Sequence, residues 1–253
     1  MRLRDKIITR LLNGTLNLII IIILILAGSF SIFALWDNNR VYEKAENVQE
    51  QMLKFKPSVE DPQNASEQFA ALKEINSDVR AWITLDGTQI DYPVLQGSDN
   101  YTYVNKDVYG NYALAGSIFL DSANDPDFND AYSLLYGHHM VKNRMFGDLD
   151  SYKNKEFFDA NTTGTLILPD RTYKLNIFAV MVIPASEHAV FGVTQWTNDA
   201  SPLLDFAKNN ATYFRQSVVE NIDAADLKLI ALSTCASDFT DARTVVFAAM
   251  QES

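Results

Sequence analysis

Trp82-Ile83-Thr84-Leu85-Asp86-Gly87-Thr88-Gln89-Ile90-Asp91-Tyr92-Pro93-Val94-Leu95 is the stretch on which the fold turns. Two short runs rich in β-branched, aromatic and leucine residues flank Asp86-Gly87, a dipeptide suited to a tight hairpin turn. Outward from it the same punctuation repeats. Ser117–Leu120, Tyr132–Tyr136, Gly164–Leu168, Tyr173–Ile183, Leu227–Leu232 and Thr244–Met250 are all short apolar runs bounded by turn residues. Together they predict eight strands. Helical spacing is scarce by comparison. Phe69, Leu72 and Ile75 mark a short helix over 66–75, and a second is expected over 145–158. Ser201-Pro202 reads as an N-cap followed by proline at the first helical position, opening a longer helix to about Val219. Many strands and few helices predict a mainly β domain closed, or nearly closed, into a barrel.

The N-terminus is of a different kind. Residues 11–36 contain no charged side chain and centre on Leu18-Ile19-Ile20-Ile21-Ile22-Ile23-Leu24-Ile25-Leu26. A helix of about 20 apolar residues crosses a hydrocarbon core. A cleaved signal peptide has an apolar region of only about 7–15 residues, and no small-x-small cleavage site precedes Trp36. Arg2, Arg4, Lys6 and Arg10 stand before the apolar run against the single acid Asp5, so the start is expected to stay cytoplasmic. The expected layout is thus a cytoplasmic N-terminus over 1–10, a transmembrane signal anchor over 11–36, a helical stalk or linker over 37–62 and an extracellular domain over 63–253.

Net charge is −11, from 21 basic and 32 acidic residues, which argues against a nucleic-acid partner. The acidic run from Asp121 to Asp130 lacks the glycine and terminal glutamate of a calcium loop and reads as solvated. One cysteine in 253 residues cannot form an internal disulfide, so an extracellular fold must rely on its core.

That cysteine, Cys235, ends the run Leu227-Lys228-Leu229-Ile230-Ala231-Leu232-Ser233-Thr234-Cys235, and Arg243 opens the next strand. Tyr136-Gly137-His138-His139-Met140 ends another. A lone cysteine is by default a small buried hydrophobe. A thiol has a pKa of about 8.5 and reacts as the thiolate. An imidazole can hold a proton and hand it to a leaving amine. A guanidinium offers a fixed fork of donors to a carbonyl or oxyanion. The three residue types cover acyl transfer, although three strand ends could point anywhere.

The pattern as a whole resembles the sortases. Leu232-Ser233-Thr234-Cys235 with Arg243 on the next strand, and Tyr136-Gly137-His138-x-Met140, carry the resemblance. Asn76–Ile83, Asp86-Gly87-Thr88-x-Ile90-Asp91-Tyr92-Pro93-Val94, Ala115–Asp121 and Met145-Phe146-Gly147-x-Leu149 are similar to the class B branch. The resemblance spans about Asn76 to Met250. It implies an eight-stranded sortase barrel with N-terminal helices, one long helix before the cysteine strand, and cysteine transpeptidation on a Gram-positive surface. It makes Cys235 the nucleophile, His138 the family histidine and Arg243 the family arginine, with Thr234, Ser233, Asn100 and Val104 shaping the substrate groove. Val104 stands where leucine is more usual, and the connection Ala236 to Ala242 is short for the class. The implied partners are secreted proteins with a C-terminal sorting motif and an amine acceptor, either a peptidoglycan cross-bridge or a pilin lysine. No cofactor is expected, since the chain offers no metal-ligand cluster and no phosphate-cradling glycine loop.

By the same reading His139 is a structural or groove-edge residue, His188 a solvated loop residue, and Trp82 and Trp196 packing aromatics. Two alternatives use or discard the same residues: a cysteine endopeptidase resolved by water, and a non-catalytic surface adhesin that buries Cys235.

Overall fold

The structure is a computed structural model that describes residues 3–253 except Ala224 and Ser237, without the side chains of residues 3–9 and 62–64. The charges of Arg2, Arg4, Asp5 and Lys6 therefore lie outside the described side chains. The chain divides into two compact units, residues 1–44 and 45–253.

The first unit belongs to α1 (Leu3–Leu53), which carries a segment long and apolar enough to cross a membrane. Its large apolar side chains from Leu11 to Trp36 are exposed throughout. A helix apolar all round is the pattern of a core helix or of a membrane span.

In the second unit, the last turns of α1 pack onto the domain, with Met52 buried among Phe69, Leu72, Trp82 and Leu95. Residues 45–53, part of the segment expected as a linker over 37–62, thus fall in the second compact unit. The reason is the apolar set Val48, Met52 and Phe55, which finds a ready surface on the barrel beside α2 (Pro62–Ile75). Glu46 and Gln49 also bond Arg144. Met52→Ala should therefore destabilise the domain by about 2–5 kcal/mol, the usual cost of truncating a buried methionine. At roughly 2–4 °C per kcal/mol for a domain of this size, the melting temperature should fall by on the order of 10 °C. Thermal unfolding followed by circular dichroism checks it, and an unchanged midpoint would remove α1 from the core.

Eleven strands follow among the described residues: β1 (Val79–Leu85), β2 (Asp91–Leu95), β3 (Ile118–Leu120), β4 (Tyr132–Tyr136), β5 (His139–Met140), β6 (Arg144–Met145), β7 (Thr163–Ile167), β8 (Thr172–Pro184), β9 (Tyr213–Phe214), β10 (Leu229–Cys235) and β11 (Ala242–Glu252). Eight of them pair in the order β11-β10-β4-β3-β2-β1-β7-β8, and β11 pairs with β8 to close the barrel. Closure removes the exposed edges that an open sheet would present. These eight are the eight predicted. The short β5–β6 hairpin stands apart, and β9 adds to β8.

The helices depart from expectation in detail. The region 145–158 splits into a 3-10 segment (Gly147–Lys153) and α3 (Lys155–Ala160). After α4 (His188–Phe191), α5 runs only over Ser201–Asn210, not to Val219. Tyr213 and Phe214 leave the helical path to pair with Val180 and Ala179, and Phe214 meets Phe178 edge-on at 5.7 Å. Ladder bonds and aromatic contact on β8 outweigh about two and a half further helical turns. Ser201 lies inside the helix rather than at its cap; its N–H donates to Asp199, whose carboxyl is thereby held below the usual range. The acidic run 121–130 is not merely solvated either. Asp121, Asn124 and Asp130 are buried, and Asn124 donates to Asp130 at 2.9 Å and to the Tyr132 carbonyl at 2.8 Å.

Candidate active site

Register brings the site together. β10 and β11 pair antiparallel with Cys235 opposite Arg243, Thr234 opposite Thr244 and Ser233 opposite Val245. Residues directly opposite share a face, and faces alternate along a strand. Ser233, Cys235 and Arg243 therefore lie on one face with Val245 and Phe247, the face that packs beneath α5. Thr234 takes the other face. β4 runs parallel to β10 with Tyr136 opposite Ser233, and the Gly137 N–H donates to the Ser233 carbonyl at 3.1 Å. His138 thus emerges two residues beyond the last pair of the β4–β10 ladder, beside the end that carries the thiol.

At this end of the barrel a cavity of 400 Å³ opens, lined by all seven residues singled out in the sequence. Cys235, His138 and Arg243 share it with Thr234, Ser233, Asn100 and Val104. Cys235 is an exposed free thiol, so it is not the small buried hydrophobe of the default reading. His138 Nε2 lies 2.7 Å from the Val104 carbonyl. A carbonyl only accepts, so Nε2 carries a proton and Nδ1 is the ring nitrogen left to gain or lose one. That contact depends on the backbone at Gly116. Its φ is +58°, and a Cβ there would come within 2.4 Å of the Val104 carbonyl oxygen. Any other residue would be strained and would push the acceptor away from His138.

Arg243 donates to its neighbour's carbonyl, Ala242 O, at 3.1 Å. The hydroxyls of Ser233 and Thr234 are buried and find no hydrogen-bond partner among the described residues. Buried unpaired hydroxyls are unfavourable, and both residues border the cavity. The cavity floor is apolar and aromatic. Tyr136 packs on Phe119 with ring centroids 5.3 Å apart, while Tyr101, Ala185 and Phe191 complete the rim. The last three carried no signal in the sequence. Ala185 and Phe191 belong to the β8–α5 connection, and only the fold carries them to Cys235; the Ala185 N–H is fixed by the Asp241 carbonyl at 2.9 Å.

The other side chains singled out in the sequence do not line the cavity. His139 is exposed, does not line the cavity, and sits 3.3 Å from Asp150. His188 is exposed, within α4 rather than a loop. Trp82 is fully buried and donates to Asp91, and Trp196 packs beside the α5 core and donates to the Ala189 carbonyl.

Comparison with known proteins points one way. The family model of the Sortase domain matches residues 83–251. Sortase B of Listeria monocytogenes is 33% identical over 177 residues, covering 69% of this chain and 70% of that protein. A solved mutant form of Clostridium perfringens sortase B superposes with a TM-score of 0.71 at 30% identity, covering 80% of this chain and 96% of the other. A Streptococcus pyogenes class B sortase involved in pilus biogenesis superposes with a TM-score of 0.64 at 37% identity, covering 73% and 98%.

Proposed function

The chain belongs to the sortase family of cysteine transpeptidases, on its class B branch, and from that premise we propose that Cys235, His138 and Arg243 carry the transfer. The observation that supports this most directly is the shared cavity, into which the pairing of Cys235 with Arg243 and the Tyr136–Ser233 register deliver all three.

The Cys235 thiolate attacks the scissile carbonyl of a C-terminal sorting signal on a secreted protein. A C–S bond forms, the peptide C–N bond breaks, and His138 gives a proton to the departing amine. An acceptor amine then attacks the thioester, loses its proton to His138, and takes the acyl group as the thiolate leaves. Arg243 holds the carbonyl oxygen through the charge that develops on it. Thr234, Ser233, Asn100 and Val104 line the path of the donor peptide. The apolar part of α1, residues 11–36, anchors the enzyme, with residues 1–10 cytoplasmic and the barrel outside the cell.

A lysine at position 243 keeps the charge and loses the planar fork of donors. Arg243→Lys should therefore reduce kcat by on the order of a hundredfold, with a smaller change in KM. Near-normal turnover would reduce Arg243 to a diffuse positive field.

The reading is tested by mass spectrometry of products from a sorting peptide offered with oligoglycine, with a pilin lysine peptide, and with neither. Ligation to oligoglycine favours wall anchoring. Ligation to lysine favours pilus assembly, the role of the Streptococcus pyogenes relative. Hydrolysis alone, whatever amine is present, would make the chain an endopeptidase and overturn the proposal.

A further inference from the structure

We propose that Asp121 is a positioning residue for this reaction, holding Asn100 and Tyr136 in the orientation that the donor peptide meets. The inference rests on reading the Cys235 cavity as the donor site.

Asp121 follows β3 and is 4% exposed. One of its oxygens, Oδ2, accepts from the Asn100 amide at 2.9 Å and from the Tyr136 hydroxyl at 2.8 Å. Its other oxygen accepts from the Ala123 N–H at 2.9 Å. No cation pairs with it among the described residues. A carboxylate withdrawn from water must be met by hydrogen bonds or a counter-charge, and here the bonds come from two cavity walls. Asn100 and Tyr136 both line the cavity, whereas Asp121 does not.

The bonding fixes what each wall can offer. The Asn100 side-chain carbonyl already accepts from the Ser122 N–H at 2.7 Å. Its amide carbonyl and one N–H are thus committed within the protein, and the second N–H is the valence left for a ligand acceptor. Tyr136 gives its proton to Asp121, which leaves lone pairs on the phenol oxygen for a ligand donor. Burial, reinforced by the Asp121 charge, pushes this phenol far above its ordinary pKa, so it stays a donor to Asp121 at every working pH. Residues 100 and 136 arrive from separate segments, and one carboxylate oxygen sets the polarity of both. A primary amide at 121 has one acceptor oxygen for these three donors. Ala123 donates from a backbone N–H that cannot turn away, so the amide oxygen stays with it and the NH2 group takes the place of Oδ2, where Asn100 and Tyr136 must both turn.

The test is Asp121→Asn, alone and combined with Asn100→Ala and Tyr136→Phe, using steady-state kinetics with a sorting peptide and oligoglycine. Thermal melting and the alkylation rate of Cys235 by iodoacetamide are measured on the same samples. D121N should raise KM for the donor by about tenfold or more with a smaller change in kcat and an unchanged alkylation rate, the pattern expected when binding contacts shared by ground and transition states are lost. In the N100A/Y136F background the same substitution should add nothing to KM, although it lowers the melting temperature equally in both backgrounds. If D121N lowers turnover by the same factor in both backgrounds, Asp121 is a structural anchor and the proposal fails. An unchanged KM in D121N beside a raised KM in N100A also overturns it, leaving the cavity reading intact. Unchanged KM in N100A, Y136F and D121N together would sink the cavity reading itself, and this inference with it.

Asn100→Asp supplies a second variant if D121N does not fold. It sets two carboxylates 2.9 Å apart. A shared proton restores the hydrogen bond only at acidic pH. The donor KM of N100D should therefore improve, relative to the parent, as pH falls from 8 to 5. A pH-independent KM ratio would count against the proposal.

Discussion

Cys235→Ala should abolish both cleavage and ligation of a sorting peptide while leaving the melting temperature within a few degrees of the parent. The thiol is exposed at the end of β10, so the change removes one sulfur from a surface and opens no cavity in the core. The strand pairing that places it involves backbone groups that alanine retains. Loss of a covalent nucleophile removes the entire two-step path, and a decrease on the order of ten-thousandfold or more is expected. Product mass spectrometry and calorimetry on the same preparation separate chemistry from folding. Cleavage at more than a trace level by the pure variant would dismiss the thioacyl route. Fast alkylation of the native thiol by a small reagent would argue against the adhesin alternative, which has no need of a reactive cysteine.

His138→Ala should be far more damaging than His139→Ala, although the two residues are adjacent and chemically identical. His138 faces the cavity and has Nε2 held by the Val104 carbonyl, which leaves Nδ1 to exchange protons. His139 lies in the β5–β6 hairpin with its ring toward Asp150. Removing a positioned acid–base group costs roughly a hundredfold to ten-thousandfold in rate. Removing a partly exposed His–Asp pair disturbs stability by about 1 kcal/mol or less. Parallel kinetics on the two variants measure the contrast. Equal losses would mean that the motif position carries no special role.

Much of this molecule was legible before any coordinates. The eight barrel strands follow from short apolar runs bounded by turn residues, because strand period and turn chemistry are local properties. The apolar segment within 11–36 is legible for the same reason, since length and hydropathy alone decide whether a helix can span a bilayer. The seven candidate site residues came from the resemblance to the sortases, not from spacing, which by itself leaves three strand ends free to point anywhere.

What the chain did not reveal locally is where competing interactions met. The stretch 211–219 carries a helical pattern, yet Tyr213 and Phe214 pair with the part of β8 that runs beyond β7. Val48, Met52 and Phe55 look like the sparse apolar positions of a stalk until α2 and the barrel give them a surface. Asp121 reads as one more acid in a polar loop, and burial with three hydrogen bonds turns it into a junction.

The sequence by itself determined the strand inventory, an apolar segment long enough to span a membrane, and the candidate thiol, imidazole and guanidinium. These depend on side-chain chemistry and on periods of a few residues. Only the tertiary structure decided that Cys235 pairs with Arg243, that His138 Nε2 meets the Val104 carbonyl, that Phe191 and Ala185 border the cavity, and that Asp121 ties two of its walls together. Each of these joins residues far apart in the chain. Their contact depends on the closing of β11 onto β8 and on the register that burial of each strand's apolar face imposes, quantities that no local window contains.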